Sequence, residues 1–169
     1  MQPKDHWERV YSTKSTDEVS WYQEHADRSI ALIRATGVSP DAAIIDVGGG
    51  ASTLVDDLLS MGYGNLTVLD LSGAAIDSAR NRIGTGASGV TWREADITTA
   101  VLPPHAYDVW HDRAVFHFLT SSSDRQAYVE RVARSVKPGG RVIVATFAED
   151  GPERCSGLPV MRYSATELH

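Results

Sequence analysis

Short apolar runs and helix-spaced apolar stripes alternate along most of the chain. Residues 22–36 carry Tyr22, Ala26, Ile30 and Ile33 at helical spacing, with Gly37 as a stop and Pro40 just beyond. Residues 42–47 form a continuous, β-branched apolar run that suits a strand covered on both faces. Gly48-Gly49-Gly50 breaks it. Leu54, Val55, Leu58 and Leu59 then mark a helix over 51–61, ended by Gly62 and Gly64. The pattern continues with a strand at 66–71, a helix at 74–83, a strand at 90–95 and a strand at 107–111. A helix follows at 124–136, with Val129, Val132, Ala133 and Val136 on one face. Lys137-Pro138-Gly139-Gly140 reads as a turn before a fifth strand at 141–147.

Strands alternating with helices predict parallel βαβ units with right-handed crossovers. The expected fold class is α/β, a Rossmann-like doubly wound parallel sheet of order 3-2-1-4-5 preceded by N-terminal helices. The expected organisation is a helical lid over 1–40, a cofactor-binding core over 41–150 and a short segment over 151–169. That last segment stops at the start of a helix near 164–169, with strands 6 and 7 absent. In such sheets ligands bind outside the carboxyl ends of the strands. The residues at those ends therefore carry the argument.

The first strand ends in Asp46-Val47-Gly48-Gly49-Gly50, where glycines let backbone approach a ligand; a plain tight turn is the alternative. The second ends in Asp70, 20 residues after Gly50, at the distance of an acid that accepts ribose hydroxyls. Asp70 as a solvated acid or helix cap is the alternative. The third is followed by Asp96-Ile97, a pair able to hold an adenine amino group and pack on its ring, or simply to cap a turn. Together they point to an adenosine-containing ligand. The third glycine of a dinucleotide fingerprint is missing, and Asp46 would repel a pyrophosphate while attracting an ammonium group.

Asp46-x-Gly48-x-Gly50, Asp70, Asp96-Ile97 and the Lys137-Pro138-Gly139-Gly140 turn resemble class I S-adenosylmethionine-dependent methyltransferases over residues 40–150. The resemblance implies S-adenosyl-L-methionine as cofactor. It places Asp46, Gly48 and Gly50 along the methionine part, Asp70 on the ribose, Leu71 against adenine, and Asp96 and Ile97 at the adenine edge. The stretch 108–119, with Trp7-Glu8-Arg9-x-Tyr11, Glu18-Val19-Ser20-Trp21-Tyr22 and Ser156-Gly157-Leu158-Pro159-Val160, is similar to a subgroup of small bacterial methyltransferases. Related eukaryotic enzymes methylate protein lysines and carry Asp-Lys-Gly where this chain has Asp112-Arg113-Ala114, a departure that counts against a lysine acceptor.

His111, Asp112 and Arg113 are the catalytic candidates, with His111 also facing the cofactor. Each has a plainer alternative: a backbone-bonded histidine, a helix cap, an arginine paired with an acid. Trp21 and Tyr22, with Trp7 and Tyr11, either pack the first helices onto the domain or form a lid over the sulfonium, whose charge aromatic faces favour. A non-catalytic cofactor-binding module and a nicotinamide-dependent oxidoreductase are the competing readings.

Composition narrows the field. The chain has 169 residues, 42% hydrophobic and 22% charged, enough for one domain with its own core. Its net charge of −6 argues against nucleic acid or an anionic membrane as partner. The single cysteine, Cys155, cannot form an intrachain disulfide, and no signal peptide or membrane span is visible, so a cytoplasmic protein is expected. His111 and His117, six apart, lack the spacing of a helical metal pair, so no metal is expected. A fifth strand left at the sheet edge, with the apolar run Val142-Ile143-Val144-Ala145, predicts a homodimer through that edge or coverage by the tail from Cys155 onward.

Overall fold

A computed structural model describes residues 4–15, 18–19 and 21–169. Ser20, part of the sequence motif above, and residues 1–3 of the expected lid lie outside this range. The elements run in the order α1 (Lys4–Thr13), α2 (Asp27–Ala35), β1 (Ile44–Val47), α3 (Leu54–Ser60), β2 (Leu66–Asp70), α4 (Gly73–Ile83), a 3-10 turn (Gly84–Gly89), β3 (Val90–Glu94), β4 (Tyr107–Arg113), a 3-10 turn (Phe116–Phe118), α5 (Ser122–Ser135) and β5 (Val136–Ala145). The five strands form one parallel sheet of order β3-β2-β1-β4-β5. This is the expected doubly wound, Rossmann-like arrangement. The tail adds an antiparallel pair of two-residue strands, β6 (Arg154–Cys155) and β7 (Leu158–Pro159), separate from the main sheet.

Strand periodicity divides the interior in two. Ile44 and Val109 point to one face, packing with Ile33, Leu54 and Leu58 of α2 and α3. Ile45, Val47 and Trp110 point to the other, with Leu119 and Tyr128. The carboxyl ends of β1, β2 and β4 stand between these two layers and carry the site.

Several boundaries differ from expectation for local reasons. The helix expected from Tyr22 begins at Asp27, because the preceding segment is tied to α3 instead: Thr53 Oγ1 donates to the Gln23 carbonyl at 2.8 Å and Ala26 N to Asp57 Oδ2 at 3.1 Å. Residues 51–53 stay in the glycine loop, so α3 starts at Leu54. The Lys137–Gly140 turn is absorbed into β5 as an irregularity, with Gly139 at φ 79° and the β4 register shifting between Tyr107 and Val109. On α5 the inward position belongs to Tyr128, and Val129 is 51% exposed. The aromatic hydroxyl reaches Asp112, a contact valine cannot offer. No helix forms at 164–169, where Ser164 and Glu167 bond each other in a single turn.

Candidate functional site

A cavity of about 320 Å³ opens at the carboxyl ends of the strands. Of the residues singled out in the sequence, Trp21, Tyr22, Asp46, Gly48, Asp70, Leu71, Asp96, Ile97, His111 and Arg113 line it. Gly50 and Asp112 do not.

The glycine loop shows why small residues follow β1. Gly48 sits at φ 74°, and a Cβ there would collide with Val115. A Cβ on Gly49 would collide with the Asp46 carboxylate. At Gly50 a Cβ would come within 2.9 Å of Asp70 Oδ2. Gly50 therefore acts from behind the wall, its N–H donating to Asp70 Oδ2 at 3.0 Å. Ser72 N donates to Asp70 Oδ1 at 2.9 Å. Burial pushes the Asp70 carboxyl up to about 6, against the lowering effect of the Ser72 and Gly50 bonds. Each oxygen keeps acceptor capacity beyond its backbone bond.

Asp46 and His111 occupy matching register positions on β1 and β4, on one face of the sheet. His111 Nδ1 lies 2.7 Å from Asp46 Oδ1, and Nε2 lies 2.9 Å from Ser29 Oγ of α2. The ring is 3% exposed and both nitrogens have protein partners, so His111 lines the cavity as a fixed group. Ser29 gave no signal in the sequence, being one polar residue inside an otherwise ordinary helix.

Asp112 is turned away by the alternation of β4. Its Oδ2 accepts from the Tyr128 hydroxyl at 2.6 Å and from Phe116 N at 3.0 Å, and its Oδ1 accepts from Val115 N at 2.7 Å. Burial holds its carboxyl up at about 6. It caps the turn after β4, the plainer of its two sequence readings. Arg113 returns to the cavity side. Its guanidinium donates to Gln23 Oε1 and, at 3.4 Å, to the Trp21 carbonyl.

Asp96 Oδ1 accepts from Thr98 N and Oγ1 at 2.8 and 2.6 Å. Its Oδ2, like Asp46 Oδ2, is buried with no hydrogen-bond partner among the described residues. Buried polar atoms are normally paired, so two bare carboxylate oxygens in one cavity suit a ligand with donors at both ends. The opposite wall is aromatic. Trp7 packs edge-on against Trp21 and Phe118 at 5.9 and 5.2 Å and stacks on Tyr11 at 6.0 Å. Glu8, one residue along, accepts from Gly73 N at 2.6 Å and seats α1 on the start of α4. Phe147 and Cys155 also line the cavity; their distance in sequence from the strand-end motifs hid them. Among the described residues no group of three His, Cys, Asp or Glu is placed to hold a metal ion. No helix among them is long and apolar enough to cross a membrane.

This sheet order, with acids at three successive strand ends and a glycine loop at the switch point, defines a doubly wound, nucleoside-cofactor-binding class. Residues 44–140 match the methyltransferase domain family, and the chain belongs to it; its cofactor is S-adenosylmethionine. A zebrafish relative, "eEF1A lysine and N-terminal methyltransferase", is 23% identical over 149 residues. The match covers 86% of this chain and 21% of that protein, so the chain spans about a fifth of its length. A methyltransferase of Haloferax volcanii, solved in complex with the activator Trm112, superposes with a TM-score of 0.74 at 20% identity, over 97% of this chain and 70% of that one. The glycopeptide N-methyltransferase MtfA, complexed with sinefungin, gives a TM-score of 0.63 at 16% identity, over 78% of this chain and 58% of that one. These two likenesses concern the fold.

The residues fit the cofactor. Asp46 and Asp96 offer unpaired carboxylate oxygens, Asp70 offers further acceptor capacity, and Leu71 and Ile97 supply apolar surface beside them.

Proposed function

We propose that this cavity binds S-adenosylmethionine and transfers its methyl group to an acceptor entering beneath α1 and the Trp21–Gln23 segment. Bound there, the cofactor supplies an activated methyl group, so the protein's task is alignment and exclusion of water. Asp70 takes the ribose hydroxyls, Asp96 the adenine amino group, and Leu71 and Ile97 the adenine faces. Asp46 faces the methionine ammonium, held in place by His111. Gly48 and Gly50 keep the loop close. Trp21 and Tyr22 cover the sulfonium side as part of the N-terminal lid. Arg113 stands nearest the acceptor. His111 is thus a positioning residue, and Asp112 supports the fold of the turn.

The observation that carries this reading is the convergence of Asp46, Asp70 and Asp96 on one cavity from three successive strand ends. The zebrafish relative's name points to protein lysine and N-terminal amines. The Asp112-Arg113-Ala114 sequence favours a different acceptor for this chain. A homodimer through the β5 edge belongs to the same proposal.

Titration with S-adenosylhomocysteine tests it. Binding in the micromolar range, about −8 kcal/mol, is expected, with no binding of NAD. Asp70→Ala should weaken it by roughly 1.5–3 kcal/mol, the range for charged hydrogen bonds. Binding of NAD without response to S-adenosylhomocysteine would overturn the reading.

A further inference from the structure

Among the described residues, Arg113 is the only lysine or arginine lining the cavity, which otherwise carries Asp46, Asp70 and Asp96. Among the described residues it takes part in no ion pair. Its two partners, Gln23 Oε1 and the Trp21 carbonyl, are neutral oxygens that orient the guanidinium without cancelling its charge. A guanidinium has five N–H donors in a planar fork that matches a carboxylate, and among the described residues only two acceptors meet it. Beside it stand the rings of Trp7, Tyr11, Trp21 and Phe118, an apolar wall with ring centroids 5.2–6.4 Å apart. The cavity thus combines three carboxylates and aromatic surface with one cation that has no ionic partner among the described residues.

We propose that the methyl acceptor is a small apolar or aromatic acid, whose carboxylate is received by Arg113 and whose body packs on the Trp7–Tyr11–Trp21–Phe118 wall. This rests on the cavity being a methyl-transfer site. What Arg113 changes relative to a lysine at this position is the donor geometry, a planar fork in place of a point charge.

Three probes of similar shape and different charge test this: benzoate, benzamide and benzylamine. Each is titrated into the full chain, free and saturated with S-adenosylhomocysteine, and read by the change in tryptophan fluorescence, to which Trp7 and Trp21 of the cavity wall contribute alongside Trp92 and Trp110. Benzoate should bind at least about tenfold more tightly than benzamide, with benzylamine weakest. Arg113→Gln should abolish the preference, and Arg113→Lys should reduce it while keeping the order. Equal binding of benzoate and benzamide, or preference for benzylamine, overturns the proposal. A second outcome also overturns it: Arg113→Gln weakening S-adenosylhomocysteine at least tenfold while leaving 5′-methylthioadenosine, which lacks the amino-acid part, unaffected. The arginine then serves the cofactor's own carboxylate. If S-adenosylhomocysteine itself fails to bind, the methyltransferase reading falls separately, and the probes on the free chain still report the charge preference. Thermal melting of both variants identifies loss of fold, and Arg113→Lys carries the test if Arg113→Gln does not fold.

Discussion

His111 Nδ1 lies 2.7 Å from Asp46 Oδ1 across two neighbouring parallel strands, at paired register positions. Ser29 holds the other ring nitrogen. The ring therefore fixes the carboxylate proposed to face the methionine ammonium. His111→Ala is expected to lower stability by roughly 1.5–3 kcal/mol, since a buried carboxylate loses a donor, and to weaken S-adenosylhomocysteine as well. His111→Asn, which returns a donor near Nδ1, should restore part of both. Normal melting and normal cofactor affinity in His111→Ala, with turnover lost, would instead make the ring a proton carrier.

Asp70 gives the cofactor a pH signature. Its carboxyl titrates near 6, and ribose hydroxyls donate to the ionised form. Affinity for S-adenosylhomocysteine should be constant above pH 7 and fall as pH drops through 6. Calorimetry near pH 6 in buffers of different ionisation enthalpy should show proton release on binding. Uptake, or no exchange, would place the hydroxyls elsewhere.

The pH dependence of folding has two opposing sources. Asp70 and Asp112 titrate near 6 in the folded chain, above an ordinary carboxyl, so both bind protons in the folded state first. Acidifying from pH 7 to 5 then stabilises the ligand-free fold by about 1.3 kcal/mol for each. His117 is buried, neither nitrogen has a hydrogen-bond partner among the described residues, and burial lowers it to about 4. The unfolded chain binds its proton first, and the same change of pH destabilises the fold by about 2 kcal/mol. Wild-type stability should be nearly level between pH 7 and 5. His117→Phe should convert that level profile into a rise of about 2–3 kcal/mol on acidification, measured by denaturant unfolding.

Much of the site is legible because parallel sheets place function at strand ends. Asp46 and Asp70 stand at the ends of apolar runs, Asp96 follows the third strand, and glycine spacing marks the switch point. The parity of β4 was equally readable: His111 and Arg113 share a face, so Asp112 had to face the other way, toward Tyr128. The polar run His111-Asp112-Arg113 resembles a loop and masks this parity, since it sets the expected strand end at His111, two residues before the observed one. The start of α2 was hidden for another reason. Tyr22 and Ala26 fit the helical period, but Thr53 and Asp57, some 30 residues on, bind the backbone there and override local preference. Ser29, Phe147 and Cys155 reach the site through tertiary placement alone.

Glu8 seats α1 by accepting from Gly73 N at 2.6 Å and Ala74 N at 3.4 Å, a carboxylate at a helix N-terminus where the dipole favours it. Lys4 adds an ion pair with Glu94. Through this anchor Trp7 stays 7% exposed over the cavity. Glu8→Ala should lower stability by roughly 0.5–2 kcal/mol and speed proteolytic cutting between residues 4 and 25. S-adenosylhomocysteine should slow cutting of the wild type. Identical cutting rates with and without ligand, and with and without Glu8, would reduce α1 to static packing.

The edge of the sheet supplies the last test. Among the described residues β5 pairs with β4 alone, and Val142, the first residue of its apolar run, is 48% exposed. The tail does fold back, but it meets the sheet beyond the strand. Phe147 bridges Arg162, and Tyr163 N donates to the Phe147 carbonyl at 3.1 Å. Tail coverage therefore reaches residue 147 and leaves residues 142–145 uncovered among the described residues. The open stretch 142–145, free of proline and charge beyond Pro138 and Arg141, is a template for a second strand, and two copies of one edge pair most simply about a two-fold axis. Sedimentation of the wild type should show a concentration-dependent monomer–dimer equilibrium. Val142→Lys puts a charge on the edge that the partner would have to bury, and should leave a monomer with unchanged melting and unchanged cofactor binding. A wild type that stays monomeric at every concentration would refute pairing through β5, as would a Val142→Lys variant that still dimerises with wild-type affinity.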